Sequence, residues 1–280
     1  MTPESSVFGE RTSGLWLLWV FVASGVLLFP VRVYDREIFL CVNGLHSPWT
    51  DPLWLGLTTA GDGFLLAIVL GASVVVNPRV AALGLTLLVA SSVVVHVIKA
   101  MADTPRPAAV LEGVHVLGPL LRGGSFPSGH SASAVSAAVA IAHFCPSRPG
   151  KALAITAGAL IAISRVCVGA HFPSDVLAGM GIAAGLGFLA LSWDGWKRFV
   201  PKIPTRGSLG FRAAVAMELA ACVIGLSFYS AFLAEWGMVS AGISLGCLVF
   251  VCAGLGNVNA LSGGNRRKKG LSPGHRNLSE

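Results

Sequence analysis

Long apolar stretches separated by short polar ones run through this chain, and their length suits a bilayer better than a soluble core. A helix crosses the hydrocarbon in roughly 17 to 25 residues. Eight stretches approach or reach that length: about Leu15 to Pro30, Thr59 to Val76, Val80 to Ile98, Ser128 to Phe144, Ala152 to Val168, Ser174 to Trp193, Ala213 to Leu233 and Gly237 to Gly256. The second is the weakest, since its wholly apolar part begins only at Phe64, so the span starts near Asp62 or is tilted and short. Between the first two, Tyr34, Ile38, Phe39, Trp49 and Trp54 alternate with polar residues, which predicts an interfacial segment over 31–58 with aromatics at headgroup level. The pattern predicts an all-α fold: a multi-pass transmembrane helical bundle with a six-helix core and two extra C-terminal transmembrane helices.

Punctuation divides the chain accordingly. Residues 1–193 form the six-span unit, with its polar motifs confined to 80–193. Residues 194–212, containing Pro201, Pro204 and five basic side chains, read as a cytoplasmic linker. The two added helices occupy 213–256, and 257–280 is a basic cytoplasmic tail. Gly181 and Gly185 give the sixth span a small-xxx-small face suited to close helix contact. Glu218 in the seventh span reads as a packing residue.

Composition excludes the main alternatives. Hydrophobic residues make up 54% of the chain and charged ones 12%, against about 25% charged in soluble domains, which rules out disorder and disfavours a water-soluble globule. The net charge of +7 raises nucleic acid as a partner, but the only dense basic run, Arg266 to Lys269, follows an apolar span. There it suits the anionic cytoplasmic leaflet, and no nucleic-acid partner is expected. With the N-terminus inside, 14 of the 20 Lys and Arg residues fall on the cytoplasmic side. The chain is thus expected in a bacterial inner (plasma) membrane, with both termini cytoplasmic and the first span retained. The six cysteines show neither zinc-site spacing nor a disulfide framework.

Three polar clusters interrupt the apolar background, each at the outer end of a span. Lys99 with Arg106 and Pro107 follows span three; Pro127, Ser128, Gly129 and His130 open span four; Ser164 and Arg165, then His171 and Asp175, join spans five and six. Lys99, Arg106 and Arg165 are suited to neutralise a phosphate, the guanidiniums by paired hydrogen bonds. Pro127 as the first residue of a helix leaves the N–H groups of Ser128, Gly129 and His130 aimed at an anion, with the helix dipole behind them. Asp175 in the first turn of span six accepts from one nitrogen of His171 and raises the nucleophilicity of the other, while His130 serves as general acid. His46, His96, His115 and His143 read as packed or snorkelling side chains.

These motifs resemble those of the type 2 phosphatidic acid phosphatase (PAP2) superfamily, which includes integral-membrane lipid phosphate phosphatases and soluble vanadium haloperoxidases. That pattern, Lys-x6-Arg-Pro, Pro-Ser-Gly-His and Ser-Arg-x5-His-x3-Asp, is met at Lys99, Arg106, Pro107, Pro127 to His130, Ser164, Arg165, His171 and Asp175. The resemblance implies a hydrolase needing neither cofactor nor metal. In it His171 attacks phosphorus, His130 protonates the leaving group, and Lys99, Arg106, Ser128, Gly129 and Arg165 hold the phosphoryl group. Arg122 and Asp62 lie outside the motif as possible supporting residues, Arg122 within reach of a second phosphate or a headgroup.

The expected activity is a lipid phosphate or diphosphate phosphatase at the extracytoplasmic face. Its substrate class covers undecaprenyl diphosphate, phosphatidylglycerol phosphate, phosphatidic acid and lipid A phosphate. A phosphotransferase using the same intermediate is the enzymatic alternative, and a lipid transporter or binding scaffold the alternative of another class. A haloperoxidase does not suit so apolar a chain.

Overall fold

A computed structural model describes residues 14–121 and 123–199, all within the first of the chain's two units, Met1–Cys222 and Val223–Glu280. Arg122, the greater part of the expected linker, the two added spans and the tail lie outside the described residues. Ten α-helices are described: α1 Leu15–Val33, α2 Asp35–Asn43, α3 Asp51–Ala60, α4 Gly63–Ala72, α5 Pro78–Ala102, α6 Pro107–Val110, α7 Gly129–Phe144, α8 Arg148–Cys167, α9 Pro173–Ser192 and α10 Asp194–Phe199. A short 3-10 turn, Ser73–Val75, follows α4, and no strand occurs among the described residues.

Local chemistry sets the boundaries. Asn77 caps α5 by accepting from the Arg79 N–H, with Pro78 at the helix start; Ser147 caps α8 by accepting from the Gly150 N–H. α5 closes at Asp103, which takes the left-handed conformation (φ 35°). α1 continues through Pro30 to Val33, three residues past the expected end, so Arg32 sits in its last turn.

Among the described residues four helices, α1, α5, α8 and α9, are long and apolar enough to cross a membrane. The weak second span falls on a bent helix pair: α3 and α4 meet at a 63° bend around Gly61 and Asp62. The expected interfacial segment therefore divides. α2 buries Asp35, Phe39 and Asn43 on one face, whereas α3 is the first arm of the bent pair. The expected fourth span corresponds to α7, whose 16 residues reach about 24 Å against a hydrocarbon core of about 30 Å. This helix is the hub of the bundle, packed by α4, α5, α8 and α9.

The Ala- and Ser-rich sequence of α7 makes that position possible by letting neighbours approach. A Cβ on Gly158 of α8 would stand 2.7 Å from Ala138 Cβ. Gly181 and Gly185 do the same for the α9–α1 contact, as their spacing predicts: a Cβ at either would come within 2.9 Å of Ser24 or Phe21. Outward faces are apolar, with Val89, Val93, Val97 and Met101 forming an exposed stripe along α5 and Trp19, Val26 and Phe29 exposed on α1. The protein is a multi-pass helical membrane protein. Residues 194–199, expected to begin the linker, form α10 instead, with Trp196 buried among Leu17, Leu83, Leu87 and Val139.

Candidate active site

Five helix ends meet on one side of the bundle: the C-termini of α1, α5 and α8 and the N-termini of α7 and α9. The decisive tie joins the two N-termini. Ser128 N–H donates to the Asp175 carbonyl at 2.9 Å, and a Cβ on Gly179 would lie 2.4 Å from the Ser128 carbonyl oxygen. Glycine at 179 therefore sets how closely α9 approaches the start of α7.

At the start of α9, His171 is buried and precedes Pro173, the first helical residue. Asp175, fully buried, turns Oδ2 back to the Phe172 N–H at 2.9 Å. The same oxygen lies 3.4 Å from His171 Nδ1, so the expected His–Asp pairing is present but long. Ser125 stands beside both, donating to Asp175 Oδ2 at 2.5 Å and lying 3.4 Å from His171 Nδ1. On the other edge of the ring, Arg106 Nη1 is 3.3 Å from Nε2. Burial, reinforced by Arg165, Arg106 and Lys99, pushes the His171 pKa well below the usual histidine range. The ring is therefore neutral at pH 7.

The three cations gather around this ring. Lys99 Nζ donates to the carbonyls of Gly124 (2.6 Å) and Ser125 (3.1 Å). Arg106 donates from Nε to the Gly123 carbonyl and from Nη1 to the Ala170 carbonyl, both at 2.8 Å. Arg165, 4% exposed, donates to the Thr58 hydroxyl and keeps Nε buried without a hydrogen-bond partner. A buried guanidinium with a donor to spare is what an anion site requires.

Ser128 is the N-cap of α7 and Gly129 its first residue, two places later than the proline-first reading expects, and Pro127 precedes the cap. Its Oγ accepts from the Ser131 N–H (3.3 Å) and the Ser131 hydroxyl (2.8 Å), leaving its own hydroxyl hydrogen to donate. Since Ser128 N–H is committed to Asp175, the anion-facing amides reduce to Gly129 and His130, the first two positions of the helix, which have no intrahelical acceptor. His130 lies near the α3–α4 bend: a Cβ on Gly61 would stand 3.6 Å from its Cδ2. Asp62 caps α4, accepting from the Phe64 and Leu65 N–H groups through Oδ1. Arg122 falls outside the described residues.

Several site residues carry no sequence motif. Asp35 of α2 is buried and accepts from the Ser174 N–H at 2.8 Å and from the Ser174 hydroxyl, which fixes the start of α9. Burial raises its carboxyl pKa, against the lowering pull of the Ser174 hydrogen bonds. Arg32 donates to Ser174 Oγ at 3.1 Å and lies 3.5 Å from Asp35 and 3.9 Å from Asp175 Oδ1. Beside Arg106 opens a cavity of ≈ 340 Å³ lined by Thr104, Pro105, Ala108, Leu120 and Gly123, among others.

Comparison with known proteins follows the same motifs. Residues 79–199 match the PAP2 superfamily. Undecaprenyl-diphosphatase BcrC of Bacillus subtilis is 34% identical over 161 residues, which cover 55% of this chain and 81% of the relative. Phosphatidylglycerophosphatase B of Bacillus subtilis is 30% identical over 196 residues, 64% of this chain and 93% of the relative. The crystal structure of Aquifex aeolicus LpxE aligns with a TM-score of 0.53 at 29% identity, over 56% of this chain and 94% of that one. Motifs, helical architecture and relatives of nearly full length agree, and the chain belongs to the PAP2 superfamily.

Proposed function

We propose that this membrane protein is a lipid phosphatase that hydrolyses a phosphomonoester or diphosphate headgroup at the extracytoplasmic face through a phosphohistidine on His171. The observation that carries the reading is the setting of that one ring. It is buried and neutral, with Ser125 and Asp175 at Nδ1 and Lys99, Arg106 and Arg165 around it. Relatives bearing the names undecaprenyl-diphosphatase and phosphatidylglycerophosphatase support a phosphorylated lipid as substrate. Arg79, Arg148 and Lys151 at the opposite ends of α5 and α8 support the extracytoplasmic placement.

The headgroup phosphate enters among Lys99, Arg106, Arg165, the Ser128 hydroxyl and the Gly129 and His130 amides, which stabilise charge on its oxygens. The Nε2 lone pair of His171 forms an N–P bond as the P–O bond to the lipid breaks, and His130 gives its proton to the departing oxygen. Asp175 holds the Nδ1 proton of the cationic ring. Water then attacks phosphorus, its proton passes to His130, the N–P bond breaks, and inorganic phosphate leaves. Three side-chain cations supply the charge neutralisation, so no metal is assigned to the phosphorus.

The test is phosphate release in detergent from a panel of polyprenyl diphosphate, phosphatidylglycerol phosphate, phosphatidic acid and lipid A phosphate, with chelator present. Release from at least one lipid, abolished by His171→Ala and by His130→Ala, is expected. An undiminished rate in either variant overturns the assignment.

A further inference from the structure

Outside the catalytic cluster, a second group of chemically capable side chains gathers on the same side of the bundle. His46, in the α2–α3 turn, stacks on His115 of the 111–121 loop with ring centroids 3.9 Å apart and planes 13° from parallel. Asp51, the first residue of α3, places Oδ2 2.9 Å from His115 Nε2. One ligand atom from each of the three lies within 4.8 Å of the other two. Donors on a tetrahedral zinc ion stand about 3.3 Å apart, given bonds of about 2.0–2.1 Å; closing the set takes an approach of an ångström or so and a turn of the exposed His46 ring out of its stack on His115, because stacked imidazoles aim their lone pairs along separate planes.

The backbones that carry these groups are already fixed. Asn43, 3% exposed, donates to the His115 carbonyl (2.9 Å) and accepts from the His115 N–H (2.9 Å), while its amide also donates to the Cys167 carbonyl (3.0 Å). On the other strand of the site, Ser47 organises the turn: its hydroxyl accepts from the Thr50 N–H and its carbonyl from the Asp51 N–H. Such outer contacts are what metal sites use to aim their ligands. Asp51 also leaves Oδ1 buried with no hydrogen-bond partner, an acceptor that a bound cation would satisfy.

We infer that His46, Asp51 and His115 form a binding site for a divalent transition metal of the zinc class, which clamps the 111–121 loop to the start of α3. Two imidazoles and one carboxylate match the borderline character of zinc and disfavour magnesium and calcium, which prefer all-oxygen sets. Three protein donors leave a coordination position for water on the side where His46 is exposed. The loop being clamped runs on to Gly123, Gly124 and Ser125, whose carbonyls hold Arg106 and Lys99. Metal occupancy therefore steadies the covering of the phosphate site without reaching phosphorus.

The experiment is zinc titration of the full-length, chelator-stripped protein in detergent by calorimetry, without substrate, together with thermal unfolding with and without zinc. Its outcome is independent of any phosphatase activity. One zinc per chain and a raised Tm are expected. His115→Ala should weaken binding by at least the roughly 10- to 100-fold that losing an outer-sphere partner costs. Because His115 helps pack its loop, His46→Ala serves as the second variant: its exposed ring can be removed with little loss of packing, and it too should weaken binding and abolish the Tm rise. Absence of one-to-one binding in the wild-type protein, or equal affinity in His46→Ala, overturns the proposal.

Discussion

Nη1 of Arg106 lies 3.3 Å from Nε2 of His171. A guanidinium carries only donors, so that ring nitrogen is the acceptor and the ring proton sits on Nδ1, facing Ser125 and Asp175. Arg106 thus covers the Nε2 lone pair, the one that the proposed reaction uses. In the proposed reaction, arriving phosphate oxygens draw Arg106 away and uncover it. Arg106→Lys keeps the charge but loses the fork, and its kcat should fall about 100-fold or more, the usual cost of one transition-state donor. Steady-state kinetics on the best lipid of the panel checks this.

The depressed pKa of His171 makes a prediction about pH. Its neutral form, the proposed nucleophile, persists below the ordinary histidine value, so the acid limb of kcat/KM due to this group should lie below about 6.5. Stability follows the same sign. Below the ordinary value the unfolded chain binds a proton that the folded site resists, so the His171 contribution is complete at neutral pH and declines as pH falls toward the folded pKa. A rate profile with its acid limb at or above 6.5 contradicts this reading.

Ser125 donates to Asp175 at 2.5 Å, a closer contact than the histidine's own 3.4 Å. Removing its hydroxyl frees the carboxylate to shift and the ring to turn. Ser125→Ala should lower kcat about 100-fold, as an ångström of misplacement does, with KM little changed. Ser125→Thr restores the hydroxyl and should recover most of the rate.

Much of this centre is legible in the chain because its chemistry comes as short strings at helix ends. Lys99, Arg106, Arg165, His171 and Asp175 each break an apolar run, and prolines at 107, 127 and 173 mark where helices begin. Ser125, Ser174, Asp35 and Thr58 are not legible, since each is a small polar residue whose partner lies far away in sequence. The Asp35–Ser174 bond spans 139 positions, and no local period announces it. The α3–α4 bend was half visible, because Asp62 between two glycines reads as a helix start but gives no angle. The cost of reading α7 as an ordinary span is similar: hydropathy reports an apolar segment without saying whether lipid or protein surrounds it.

Asp35 anchors the first turn of α9 through Ser174. Asp35→Ala leaves a buried N–H and hydroxyl without their acceptor and should cost about 1–3 kcal/mol, read as a lower Tm in detergent. Asp35→Asn retains an acceptor oxygen and should cost less. Both should lower kcat, because the residue after Ser174 is Asp175.

A methyl group at position 179 tests the α7–α9 junction. Gly179→Ala drives a Cβ to 2.4 Å from a backbone carbonyl, and the helices must part at a cost of about 1–3 kcal/mol. Activity should fall with stability. Gly25→Ala, with nothing within 4 Å, is the control; it should be neutral or gain up to about 1 kcal/mol of helix propensity.

The carbonyls of residues 123–125 that hold Lys99 and Arg106 bear on the proposed turnover as well as on geometry. Long cationic side chains lose up to about 2 kcal/mol of rotamer freedom when fixed, and here that loss belongs to folding rather than to each catalytic cycle. In the proposed reaction, a phosphate group exchanges places with a carbonyl instead of condensing a loose cloud of charge. The grip on the ion is correspondingly gentle, and when inorganic phosphate forms, the loop is waiting to take the cations back. On that reading, product release is prepared by the same carbonyls that keep Lys99 and Arg106 in order.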